Sequence, residues 1–198
     1  MEFCESFMLF RFPDDDAFCI EKDELVRSAH EVKACECIVL LHPDMALIEA
    51  KASSPKSISS KAFDDYITSI RDKFADSLRV FNDMRSNKFG EAAFKRLPKN
   101  LRTGSVQTDK YILYLIVHGH RLDWLAGLQD AFREALRPIL HKWNIADSRV
   151  KVFNEILAQE KGLIVAYIPW NERDTVRVSE ADRSIDNEKM AAWFRNHA

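Results

Sequence analysis

Apolar positions recur every three or four residues through Phe63, Ile67, Ile70, Phe74, Leu78, Phe81 and Met84, the spacing of a helix that lays one stripe against a core. Ser60 stands just ahead of this stripe as an N-cap, and the helix is expected to run to about Ser86. A second stripe, Leu125, Leu128, Phe132, Leu136, Ile139 and Trp143, predicts another amphipathic helix. Pro138 should bend or shorten it, because proline removes a backbone donor. Between the two, residues 111–117 form a nearly continuous run of apolar β-formers, as expected of a strand buried on both faces.

The flanking regions read less sharply. Residues 7–12 and 17–21 are short β-favouring runs around Pro13-Asp14-Asp15-Asp16, which suggests a first hairpin with an acidic turn. Residues 23–30 carry one or two helical turns or an irregular connection. Beyond the second long helix come an expected strand at 150–153, a short helix near 154–159 and a strand at 163–168. A charged loop from Asn171 then leads to a helix at 185–196. The pattern describes an α/β chain with a mixed central β-sheet flanked by helices.

The most informative segment is a pair of apolar runs, 34–41 and 46–52, on either side of His42-Pro43-Asp44-Met45. A two-residue turn centred on Pro43-Asp44 sets Leu41 opposite Ala46, Val39 opposite Ile48, Ile38 opposite Glu49 and Glu36 opposite Lys51. Side chains alternate along a strand, so Glu36, Glu49 and Lys51 emerge on one face, and Cys35, Cys37, Ala50 and Ala52 on the other. A register slip of one residue would scatter them.

Two carboxylates and an ammonium flanked by isoleucines and alanines call for a solvated cleft or an ion. Hard carboxylate oxygens suit Mg²⁺ or Mn²⁺, which takes its remaining ligands from water and phosphate. The alternative is a sheet face turned to solvent, with a cross-strand Glu36 to Lys51 pair.

With Glu36 on one strand and Leu47-Ile48-Glu49-Ala50-Lys51 on the next, the chain resembles the PD-(D/E)xK, restriction-endonuclease-like nuclease superfamily. That core places an acid on one strand and a D/E-x-K tripeptide on the following one, then a helix and a further strand. The resemblance spans about residues 20–120, leaving 121–198 as a C-terminal α/β extension of a single domain. Glu36 stands where the family more often has aspartate, and the literal Pro43-Asp44 falls in the turn. The resemblance implies a Mg²⁺-dependent (or Mn²⁺-dependent) nuclease acting on DNA, with Glu36 and Glu49 as metal ligands and Lys51 as a catalytic group. Another acid often comes from an earlier helix; Glu21, Glu24 and Glu31 are the candidates, with Glu24 preferred. Work within a restriction or antiviral-defence assembly, beside a protein partner or as a homo-oligomer, is a further implication. The alternative is a nuclease-like subunit that no longer cuts and binds nucleic acid or a protein.

Charge refines these expectations. The net charge is −2, against bulk coating of nucleic acid, but residues 85–102 hold Arg85, Lys88, Lys95, Arg96, Lys99 and Arg102 against the single acid Glu91. With Phe89 and Phe94 interleaved, this run either tracks a nucleic-acid backbone or is a solvated connector. Lys56 and Lys61 follow the E-x-K strand and would reach a substrate phosphate, unless they only turn the chain into the helix. His118 and His120 share a face at the end of the third strand, as substrate or metal contacts or as packing. The aromatic residues of the helices, Trp124 included, are assigned to core packing. Cys4, Cys19, Cys35 and Cys37 lack zinc-site spacing and read as reduced thiols. No basic start with an apolar run, and no stretch of about 18 apolar residues, is present, so a cytoplasmic protein without membrane contact is expected.

Overall fold

A computed structural model describes residues 1–29, 31–55, 60–103, 111–179, 182 and 184–198. Its centre is a mixed five-stranded sheet. Strands β3 (Ala17–Phe18), β4 (Cys37–Leu41), β5 (Asp44–Lys51), β6 (Tyr111–Val117) and β7 (Val150–Phe153) lie side by side in chain order. Strand β4 runs antiparallel to both β3 and β5, and β6 and β7 continue parallel to β5. Parallel neighbours need crossover connections, and two long helices supply them. Helix α2 (Lys61–Arg85) links β5 to β6, and α5 (Leu125–Lys142) links β6 to β7.

Both helices cover the same face of the sheet. The apolar stripe of α2 is buried as its spacing requires, and Phe74 meets Phe132 of α5 at 5.7 Å between ring centroids. Ser60 accepts from the Phe63 N–H at 3.2 Å, the expected cap, and the helix stops at Arg85. Helix α5 runs through Pro138 to Lys142, so the proline does not shorten it. Burying each large apolar side chain contributes about 1.5–3 kcal/mol, enough to hold a local misfit. Every residue of β6 is buried except the half-buried Tyr114. The opposite face is covered by apolar residues of β2 (Met8–Arg11), by Ala158 of α6 (Glu155–Glu160) and by Leu163 and Ile164.

The expected first hairpin is replaced by a different one. Strand β1 (Glu2–Glu5) pairs with β2, which also pairs with β8 (Ala166–Tyr167), making a separate three-stranded sheet. Ala17–Phe18 instead joins the large sheet through β4, and Asp14–Asp16 form a 3-10 turn. The residues on either side of Pro13 thus serve two sheets, which alternation alone does not reveal. Helix α7 (Asn187–His197), capped by Asp186, packs its Met190 and Phe194 with Phe7, Leu9 and Ile168. Short helices α1 (Glu24–Ser28), α3 (Glu91–Arg96) and α4 (Lys99–Thr103) complete the chain. Among the described residues, no helix is long and apolar enough to cross a membrane.

Candidate functional site

The hairpin register differs from the expected one by two residues. Leu41 pairs with Asp44, Val39 with Ala46 and Cys37 with Ile48, so the turn is centred on His42-Pro43, whose peptide is cis. Extended by one pair, this register sets Glu36 opposite Glu49, where the expected one set it opposite Lys51. A shift of two preserves the face of every side chain, since the strand period is two. Glu36, Glu49 and Lys51 therefore do share the α2 face. Cys35 does not share a face with Cys37: it precedes β4, packs on the α2 side, and donates its backbone N–H to Ser77 Oγ at 2.8 Å.

The residue that organises the cluster was not singled out from the sequence. Lys73 of α2 points between the carboxylates, with Nζ 2.9 Å from Glu49, 3.6 Å from Glu36 and 3.5 Å from Glu21. Glu49 is fully buried, and Lys51 Nζ lies 2.6 Å from the same oxygen, Oε1. Lys73 occupies a polar position on the buried stripe of α2, three residues after Ile70 and four before Ser77, both fully buried. A charged residue at such a helical position is the signal that would have found it. Tyr66, two turns earlier, brings a buried hydroxyl with no hydrogen-bond partner among the described residues, and burial followed by the Glu49 charge raises its pKa.

Protonation divides the acids. Burial, then the neighbouring Glu49 charge, push the Glu36 carboxyl up to about 10, so at neutral pH it is the protonated member and hydrogen-bonds Glu21. Burial opposes ionisation of Glu21, but the Glu36 hydrogen bond and the Lys73 charge outweigh it and lower its pKa. Burial also raises Glu49, against the pull of Lys73 and Lys51; two ammonium groups within 3 Å make it the ionised acid. For Lys73 the carboxylates win over burial, and its pKa is raised.

Glu24 lies outside this cluster. Its side chain is 86% exposed and 3.8 Å from Arg96, because it sits in the first turn of α1, after the bend that aims Glu21 inward. Glu31 is exposed too. Among the described residues no group of three His, Cys, Asp or Glu side chains is arranged to hold a metal ion. Glu36 and Glu49 nevertheless both come within 3.6 Å of one cationic centre, the Lys73 ammonium. Two carboxylates are the protein share that Mg²⁺ commonly takes beside waters and phosphate, so the donor set fits such an ion.

The basic run is largely matched by acids and rings. Lys88 meets Asp83 at 2.5 Å, Lys95 meets Glu91 at 3.3 Å, and Arg96 meets Asp23 at 2.8 Å. Arg85 and Arg102 stack over Phe81 and Phe94, while Lys99 and Lys61 are exposed. Arg85 ends α2 near Asn82, which accepts from the Tyr111 hydroxyl at the start of β6. Lys51 is at the far end of the paired strands, about 20 Å away at strand rise. Lys56 falls outside the described residues.

The histidines separate as well. His118 is 1% exposed, with Nε2 2.7 Å from the Ile168 carbonyl, whereas His120 Nδ1 lies 2.9 Å from Ser54 Oγ. Around His120 open two cavities of about 190 and 410 Å³, rimmed by Trp124, Leu122, Ile156 and Trp170. All four rim residues are at least 42% exposed, so Trp124 is not the core residue its helical spacing implied. It lies at the mouth of α5, before the stripe meets the sheet. No family model, curated protein or solved structure was found to match the chain.

Proposed function

We propose that this chain is a metal-dependent phosphodiester hydrolase of the PD-(D/E)xK, restriction-endonuclease-like type, acting on DNA. The observation that carries the reading is the convergence of Glu36 and Glu49 on a single cationic centre, with Lys51 of the same sheet face paired to Glu49. The order of elements agrees with it: an acid leading into β4, E-x-K at the end of β5, then α2 and β6. Glu36 and Glu49 would hold the Mg²⁺ or Mn²⁺. When bound, that ion supplies a lowered pKa for a water ligand and offsets charge on the scissile phosphate. Lys51, 29% exposed while its partner Glu49 is fully buried, is the group that reaches from the carboxylates toward solvent, where it would orient the water or meet the phosphate.

A second reading is a nuclease-like subunit that binds without cutting. It is favoured by the exposed Trp124, Trp170, Leu122 and Ile156, a partner-type surface, and by the Lys73 ion pairs that already satisfy Glu49. Incubation with linear, circular and single-stranded DNA and with RNA, in Mg²⁺, Mn²⁺ or EDTA, separates the two. The hydrolase reading expects metal-dependent cleavage that Glu49→Ala and Lys51→Ala each reduce at least about a hundredfold. Cleavage indifferent to both substitutions sinks the site assignment. No cleavage in any metal favours the binding subunit.

A further inference from the structure

We infer that Lys73 is a tethered counter-cation that occupies the divalent-metal position in the resting chain, and that the metal binds by displacing it. The inference rests on the metal-site reading above and adds a gating residue to it. Glu49 is fully buried, and an ionised carboxylate there needs a positive charge beside it; Glu36, nearly as buried, lines the same space. Lys73 Nζ provides that charge within ion-pair distance of Glu49, Glu36 and Glu21. A divalent cation held by Glu36 and Glu49 would need the same oxygens and the same space, so the two cations exclude each other.

Lys73 also has somewhere to go. Glu21, the third carboxylate, is 43% exposed on its side chain and lies on the solvent side of the cluster, so a displaced ammonium keeps one partner while it hydrates. Its unbranched stem swings from Glu49 toward Glu21 without moving the α2 backbone. Lys51 differs: it is paired to Glu49 from the strand itself, and among the described residues Glu49 is its one carboxylate within ion-pair distance. One lysine is thus the exchangeable charge, and the other stays with the strand.

The test measures metal binding by the whole chain, separately from cleavage. Isothermal titration with Mn²⁺ compares wild type, Lys73→Met, Lys73→Arg and Glu49→Gln. Removing the competing charge should tighten Mn²⁺ binding by about tenfold or more in Lys73→Met, while Lys73→Arg stays near wild type and Glu49→Gln loses binding. Equal or weaker binding in Lys73→Met overturns the inference and leaves the metal site standing. Absence of Mn²⁺ binding in wild type and Lys73→Met alike overturns the metal reading itself, and the inference with it. Should Lys73→Met fail to fold, a wild-type crystal soaked in Mn²⁺ decides. Anomalous density between Glu36 and Glu49 with Lys73 turned toward Glu21 supports displacement. Mn²⁺ at that position with Lys73 still paired to Glu49 refutes it.

Discussion

At the carboxyl ends of β5 and β6, the two faces of one sheet accommodate buried charge in opposite ways. On the α2 face, Glu49 is balanced by two ammonium groups, and Lys73 is shared among the side chains of Glu49, Glu36 and Glu21. On the other face Arg173, only 7% exposed, has no paired carboxylate among the described residues. Its guanidinium lies 3.9 Å from the Trp170 ring centre and 4.3 Å from that of Phe7, and it donates to the Ala52 carbonyl at 3.0 Å. Trp170 in turn lies across Gly119, where φ is +69° and an added Cβ would sit 2.1 Å from the indole. A charge balanced by charges can be exchanged for another cation. One held by ring faces and a carbonyl requires a planar cation and serves to fasten the C-terminal segment behind the E-x-K strand.

Three substitutions bear on this contrast. Glu49→Ala leaves the Lys73 ammonium facing a buried site without its nearest partner, and should cost about 3–5 kcal/mol in urea unfolding. Near wild-type stability would mean that the lysines are hydrated and the contrast between faces is lost. Arg173→Lys should cost about 1–2 kcal/mol, because a compact ammonium cannot stack between Phe7 and Trp170 while reaching Ala52. Arg173→Met should cost less than the lysine variant, since it fills the space with no charge to desolvate; the reverse order would place a carboxylate partner at Arg173 after all.

A further test concerns pH. Glu36 has a pKa of about 10 in the folded chain, well above the usual carboxylate range it returns to when unfolded. Between these values the folded state holds a proton that the unfolded state has released, so stability falls as pH rises from about 4.5 to about 10. In EDTA, Glu36→Gln should remove this part of the slope and raise the melting temperature at pH 8 to 9. An unchanged slope would show that Glu36 is ionised in the fold and that Lys73 neutralises it fully.

Several features were legible because they depend on local periodicity. The α2 stripe, its Ser60 cap and the strand Tyr111–Val117 follow from spacing that burial enforces at each step. The common face of Glu36, Glu49 and Lys51 was equally legible, because it survives any even shift of register, and the actual shift was two. The early hairpin was not legible for the opposite reason. Pairing with distant strands outweighed a local preference there.

By itself, the amino-acid sequence determined which residues alternate and which recur at helical spacing, and so which carboxylates and lysine of the hairpin face the same way. Only the tertiary structure decided what stands opposite them. Lys73 lies 22 residues beyond Lys51 and Glu21 lies 15 residues before Glu36, separations at which no local rule fixes distance. They meet because α2 crosses the sheet and the turn before α1 folds inward, both driven by apolar burial that is indifferent to where the charges fall.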